Sequence, residues 1–316
     1  ISTAPYIDLW VKGEKIRYYP EAPYSFIEGG QIIFPDELPK EAKDVKELVA
    51  IILAFLKRYY YFTDEKSAQL IAYWVLGTWF YDACDAYSYL RALGPAGCGK
   101  TELMSRVTAI CYHPIRSSGN DTPAVLFRTI GLFNGGTLHI SEYDQENSDT
   151  TSNFIKILLE GAMKGGSANR MGKYRDAEGN EIMRPEMFPT YCPKCLDGRR
   201  ETKDDALSTR CFTIYVYPVD QATLTAAHIP LLKDKKFRRE AMQIQRLLLR
   251  YRMENWQEEF PIDNDLDVDA MVSPRMNQIA APLRAIVRRM DDLEALKSLN
   301  ETIRDIYQKE RSNQLA

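Results

Sequence analysis

The chain has 316 residues, 45% of them hydrophobic and 27% charged, with a formal net charge of −3. This is an ordinary balance for a soluble globular protein of one large domain or two to three modules. It excludes a global electrostatic pull toward nucleic acid, so any such contact must use local basic patches. The most apolar stretches, 48–56 and 70–81, are too short to span a bilayer and are flanked by charge.

Residues 1–38 are rich in Tyr, Pro and Gly. Strand-like runs at 7–11, 15–19 and 31–34 predict a small N-terminal β element. The first residue is Ile1 rather than Met, which points to a piece of a longer protein. Asp36-Glu37-Leu38-Pro39 punctuates a change to helices. Two are predicted, over about 40–61 and 64–82, the second with Thr63 as N-cap; together they form a helical collar over 39–86.

Residues 87–93 (YSYLRAL) suit a short buried strand, and 101–111 place Leu103, Val107 and Ile110 at helical spacing. Between them, Gly94-Pro95-Ala96-Gly97-Cys98-Gly99-Lys100-Thr101 is a complete G-x-x-x-x-G-K-T phosphate-binding loop in the strand–helix context that the motif requires. The glycines let backbone N–H groups curl around a polyphosphate, and the helix start adds its partial positive charge. Lys100 is placed to reach the β- and γ-phosphates and the Thr101 hydroxyl to hold Mg²⁺, so ATP and Mg²⁺ are the expected cofactors.

Thr122-Pro123 starts a helix to about 131, with Pro at its first position, and Gly135-Gly136 makes a turn. Thr137-Leu138-His139-Ile140 is a short buried strand ending in Ser141-Glu142-Tyr143-Asp144. A phosphate loop needs an acidic partner strand whose Asp organises the Mg²⁺ shell and whose Glu polarises the attacking water. Glu142 occupies the glutamate position, but Ser141 stands where the aspartate belongs. Ser141 can hydrogen-bond a metal-bound water without supplying charge, and Asp144 is a candidate compensating acid. The plain alternative is that Glu142 and Asp144 are solvated loop acids.

A helix follows over about 151–163, and this strand–helix alternation predicts a parallel sheet with helices on both faces. From 168 to 191 two extended arms flank a turn cluster at 176–180 and predict a β-hairpin carrying Arg170, Lys173 and Arg175. Residues 187–196 form another strand candidate, broken by Pro189 and Pro193. Cys192-Pro193-Lys194-Cys195 resembles half a zinc site but has no second C-x-x-C, and His113, His139 and His228 stand alone. The six scattered cysteines are expected to be reduced thiols of a cytoplasmic protein. Residues 212–217 (FTIYVY) are the clearest strand, preceded by Ala206-Leu207-Ser208-Thr209-Arg210. Arg210 at a helix end is either a finger for a neighbouring subunit's γ-phosphate or a C-terminal cap. Beyond Pro218, helices are predicted over 235–257, 273–290 and 293–311.

In this order the motifs resemble AAA+ ATPases, and within them replicative helicase-like proteins of phages, plasmids and other mobile elements. The likeness covers about 63–217. It rests on residues 93–101, Pro123-Ala124-Val125-Leu126-Phe127-Arg128, residues 137–144, Leu159-Glu160-Gly161-Ala162, Pro193-Lys194 leading to Asp197-Gly198, and residues 206–210. The resemblance implies an α/β fold with a P-loop AAA+ three-layer core over 87–218, a β-hairpin insertion and a C-terminal helical lid over 219–316. It implies that Arg210 is a trans-acting arginine finger and that Asp197 lies near a polar sensor position, where a neutral Asn or Thr is more usual. Arg275, in Ser273-Pro274-Arg275-Met276-Asn277, is then a second sensor. The hairpin is similar to those that replicative helicases point into a central pore, where Arg170, Lys173 and Arg175 would grip backbone phosphates without reading sequence. The implied partners are further copies in a ring, expected to be hexameric, and single-stranded or forked DNA, with no membrane. The alternatives are a protein remodeller or loader using ATP as a switch, which Ser141 favours, and a nucleotide-binding scaffold with little turnover.

Overall fold

Five short runs, largely buried and each too brief to bury itself, assemble into one sheet in the middle of the chain. The computed structural model describes residues 7–11, 14–18, 35, 37–117, 121–133, 135–143, 148–175, 179–200, 205–231, 233–255 and 268–315. Near the start, β1 (Ile7–Val11) and β2 (Glu14–Tyr18) pair antiparallel; the run expected at 31–34 lies outside the described residues.

Helix α1 (Val45–Tyr59) begins later than the hydrophobic pattern predicts because Asp44 stops it with a capping box. The Glu47 N–H donates to Asp44 Oδ1 at 2.8 Å, and the Asp44 N–H donates to Glu47 Oε2 at 3.1 Å. In α2 (Glu65–Thr78) the cap is Asp64 rather than Thr63: its carboxylate accepts from the backbone N–H groups of both Lys66 and Ser67. The helix ends at Thr78, short of residue 82, and a separate 3₁₀ turn follows over Tyr81–Ala83.

The central sheet comprises β3 (Tyr89–Leu93), β4 (Pro114–Ser117), β5 (Thr137–Ser141), β8 (Lys194–Gly198) and β9 (Cys211–Tyr215). The order is β4-β5-β8-β3-β9 and every pairing is parallel. The connecting helices are α3 (Lys100–Thr108), α4 (Pro123–Leu132), α5 (Ser148–Glu160) and the short α6 (Asp205–Ser208). Strand β4 is too short to be distinguished in the sequence. β6 (Ser167–Arg175) and β7 (Glu181–Pro189) pair antiparallel between α5 and β8. The single strand expected over 187–196 is therefore two: β7 ends at Pro189 and β8 starts after Pro193, two residues that cannot donate to a ladder. Helices α7 (Gln221–Ala226), α8 (Lys235–Asn255), α9 (Pro274–Arg288) and α10 (Leu293–Leu315) complete the chain.

Buried apolar residues of α1, α2, the sheet, α3 and α8–α10 belong to one continuous core. Two tryptophans tie its layers by polar contacts: the Trp74 indole N–H donates to Ser88 O and that of Trp79 to Ile110 O, each at 3.1 Å. Arg91 on β3 is wholly buried. It donates to Thr213 Oγ1 of β9 at 2.8 and 3.0 Å, to Ser208 Oγ at 3.1 Å and to Glu310 Oε1 of α10 at 3.3 Å, so the last helix is joined electrostatically to the strand that carries the phosphate loop.

Candidate functional site

The phosphate loop leaves the C-terminal end of β3 and enters α3 through Gly99, at φ +94°, a conformation that a side chain would strain. Gly94 is required for a different reason: a Cβ there would lie 2.1 Å from Val216 O, where the loop passes the end of β9. Lys100, the first residue of α3, is nearly buried, and its ammonium lies over its own loop, donating to Pro95 O at 2.6 Å. Thr101 donates its hydroxyl to Asp197 Oδ1 at 2.8 Å.

Asp197 stands on β8, the strand between the loop-bearing β3 and the acidic-tipped β5; it is the register partner of Ala92 on one side and Ser141 on the other. Its side chain is 1% exposed. Its second oxygen lies 2.8 Å from His139 Nε2, and Ser141 Oγ is 3.5 Å from the same nitrogen. Burial pushes the Asp197 carboxyl up, but hydrogen bonds from His139, Thr101 and the Glu142 backbone outweigh it and leave the pKa below its ordinary value. Glu142, immediately after β5, is exposed and has a left-handed backbone (φ 54°), a conformation that costs a non-glycine residue about 1–3 kcal/mol and clusters at functional sites. Asp144 lies outside the described residues.

Beside the loop a cavity of about 300 Å³ is lined by Tyr60, Phe62, Leu103, Tyr215, Tyr217 and Lys309. Tyr60 approaches Gly99 itself, so a space of mixed character adjoins the phosphate loop, with aromatic rings on one side and Asp64, Lys66 and Asp305 among its polar lining. Sequence reading missed these residues because they come from the end of α1, the end of β9 and α10. Only the Tyr60-Tyr61-Phe62 run is a local cue.

The two predicted distal arginines lie at the other end of the sheet. The Tyr89 N–H, at the start of β3, donates to Arg210 O at 2.8 Å, so Arg210 sits at the N-terminal end of the strands while the loop sits at the C-terminal end. Within the subunit its guanidinium caps carbonyls, donating to Leu159 O at 3.0 Å and to Ala206 O. Arg275 is beside it, donating to Met163 Sδ and Gln278 Oε1; burial first and the Arg210 charge second hold its pKa down. Neither arginine is brought to the phosphate loop of its own chain.

The hairpin separates its three predicted basic residues. Side chains alternate along β6, so Lys173 and Arg175 share a face with Met171, Met183 and Met187, while Arg170 faces the other way, its guanidinium 4.9 Å from the Phe127 ring centroid. Lys173 pairs with Glu181 at 2.7 Å. Over 167–189 the sequence has Arg170, Lys173, Arg175 and Arg184 against Asp176, Glu178, Glu181 and Glu186, four charges of each sign and a net of zero. Met187 is 74% exposed and Met171 55%.

Cys192 and Cys195 are both fully buried, and burial raises both thiols. Zinc needs thiolates and four ligands, whereas no metal-ligating cluster of three or more His, Cys, Asp or Glu exists among the described residues. Lys194 between them spends its ammonium on Thr190 O, Cys192 O and Gly161 O at 2.8–3.1 Å. No helix among the described residues is long and apolar enough to cross a membrane.

No protein-family model matches the sequence, and no curated protein matches it. Among solved structures, the apo A form of the NrS-1 C-terminal region is similar at 12% identity and a TM-score of 0.34, covering 76% of this chain and 51% of that one. Cch of SCCmec type IV, an active helicase, is similar at 13% identity and a TM-score of 0.42, covering 86% and 49%. A full-length MCM homolog from Methanopyrus kandleri is similar at 15% identity and 0.42, covering 86% and 63%. The likeness is coarse, and this chain spans between 49% and 63% of the length of those three chains.

Proposed function

We propose that this chain is the motor subunit of a Mg²⁺- and ATP-dependent homo-oligomer, a hexameric ring of the AAA+ type, that moves along or unwinds single-stranded or forked DNA. The observation that carries the nucleotide part is the phosphate loop held between β3 and α3, with the Thr101 hydroxyl against the Asp197 carboxylate and an exposed Glu142 on the next strand tip but one. One hydroxyl and one carboxylate fit Mg²⁺, a hard cation that takes its remaining ligands from phosphates and water. Bound with ATP, the ion would neutralise charge on the β- and γ-phosphates. The residues do the rest. Backbone N–H groups of 94–99 and the start of α3 hold the polyphosphate, and Lys100 swings from Pro95 O to the γ-phosphate. Thr101 faces the metal, with Ser141 and Asp144 as hydrogen-bond partners for its water shell. Glu142 accepts a proton from, and aims, the attacking water. The aromatic cavity at Tyr60 and Phe62 suits the adenine base.

Arg210 and Arg275 lie at the end of the sheet away from their own loop. That position supports a role across a subunit boundary, where a guanidinium stabilises charge that develops on the neighbour's γ-phosphate. The DNA assignment rests on the AAA+ helicase resemblance and on Lys173 and Arg175 sharing one hairpin face. The methionines on that face favour a second reading, a protein remodeller whose hairpin grips apolar segments. ATPase rate with and without single-stranded DNA, measured on particles of known mass, decides between them. Stimulation by DNA of a ring-sized particle is expected; a ring stimulated by unfolded polypeptide and indifferent to DNA overturns the motor reading.

A further inference from the structure

The acidic strand of this chain ends in Ser141 where a metal-organising aspartate is needed, and the structure places a carboxylate one strand away, on β8. Asp197 and Ser141 are direct register partners across the parallel ladder, so their Cα atoms stand one strand spacing apart, about 4.8 Å. From β8 the Asp197 side chain reaches the same target: Oδ1 is 2.8 Å from the Thr101 hydroxyl, the loop group that ligates magnesium. Its other oxygen is fixed by His139 Nε2 at 2.8 Å, and His139 is itself wholly buried on β5. His139 Nδ1 has no hydrogen-bond partner among the described residues, so the imidazole's polar contacts are all on the Nε2 side, with Asp197 and Ser141.

Resting on the nucleotide reading above, we propose that Asp197, not a residue of the acidic strand, is the carboxylate that organises the Mg²⁺ shell, and that His139 is its positioning residue. The chain has exchanged the two residue types: Asp from β5 to β8, and a neutral hydroxyl from β8 to β5. A sensor at position 197 that only feels the γ-phosphate needs no charge, whereas a metal-organising group does. The unusual Asp in that place and the unusual Ser across the ladder are then one substitution rather than two defects. The outward hydrogen bond to Thr101 and the inward one to His139 aim the carboxylate as an outer-shell partner aims a ligand.

The test is binding of a fluorescent ATP analogue at graded Mg²⁺ concentration, read without turnover. For Asp197→Asn the Mg²⁺ concentration at half effect should rise about tenfold or more, with metal-free nucleotide affinity unchanged. His139→Gln should shift it in the same direction by less. The exchange variant Ser141→Asp/Asp197→Ser keeps one carboxylate in the ladder and should recover most of the parental Mg²⁺ response; it carries the test if Asp197→Asn does not fold. A Mg²⁺ response within twofold of the parent in Asp197→Asn overturns the proposal. So does a folded Asp197→Asn that loses discrimination between ATP and ADP while its Mg²⁺ requirement stays put. Lys100→Ala separates the two levels of inference: if it binds the analogue as tightly as the parent, the nucleotide reading itself fails, whatever Asp197 does.

Discussion

The position of Arg210 yields a quantitative prediction about subunit sharing. Its carbonyl accepts from Tyr89, at the start of β3, while the phosphate loop begins after Leu93 at the strand's end, about 13 Å away at the usual strand rise. The guanidinium also points back onto α5 and α6 carbonyls. A nucleotide on its own loop is therefore out of its reach, and a finger role requires a neighbouring copy. Arg210→Ala should bind ATP with parental affinity and lose about 10³–10⁵-fold in hydrolysis, the range for a removed arginine finger. Lys100→Ala should lose both. In particles formed from equal amounts of the two, each interface pairs a loop from one copy with a finger from the next, as head-to-tail contacts require. About one site in four then has both parts intact, and about a quarter of parental activity should return if sites act independently. Light scattering or native mass measurement must show that the particles are mixed. Mixed particles with no recovered activity, or Arg210→Ala hydrolysing at the parental rate, would refute a shared site and leave Arg210 as a helix cap.

Further outcomes follow from the same geometry. Lys100→Ala should abolish tight ATP binding in an equilibrium assay, because it removes the charge that faces the β- and γ-phosphates. Glu142→Gln should trap bound ATP, with hydrolysis down by about 10²–10⁴-fold and affinity kept; normal turnover there with a dead Asp144→Asn would move the water-activating residue by two positions. Replacing Lys173 and Arg175 by Ala should flatten the salt dependence of DNA binding with no change of sequence preference, since phosphate contacts release counterions and carry no base information; Arg170→Ala, on the opposite face, should not. Glu310→Ala strands the buried Arg91 charge and should cost about 3–5 kcal/mol. At the usual unfolding entropy for a chain of this length that lowers a reversible melting midpoint by about 5–8 °C, whereas Arg91→Met/Glu310→Leu should recover most of it.

The phosphate loop was fully legible in the sequence because its chemistry is local: three closely spaced glycines, a lysine and a threonine between a strand and a helix. So was the alternation that builds a parallel sheet. What was not legible depends on register between strands far apart in the chain. Thr101 and Asp197 are 96 positions apart, and only the order β5-β8-β3 makes them neighbours. The cavity at Tyr60 and Tyr217 is hidden for the same reason. Other misses had local cues. Asp64, a stronger acceptor than Thr63 with two N–H groups ahead of it, was the better cap. The separation of Arg170 from Lys173 and Arg175 follows from parity alone, since even and odd positions of one strand face opposite ways.

That parity bears on the choice of substrate. A pore that tracks nucleic acid by charge needs unneutralised cations on the face it presents, and this hairpin offers Lys173 and Arg175 while Glu181 pairs with the first and stands in register with the second. Two cations per copy offset by one carboxylate leave a net of one, and a ring multiplies that small surplus around its axis. The grip on DNA would then be weak per subunit and would depend on closure of the ring. The three methionines on the same face add adaptable apolar contact, which can lie against bases of a single strand or side chains of a polypeptide alike. Salt separates the two. Contact through phosphates weakens steeply as salt rises, whereas apolar contact holds or strengthens. A substrate affinity that falls by less than twofold between low and physiological salt would place the methionines, not Lys173 and Arg175, at the working surface of the hairpin.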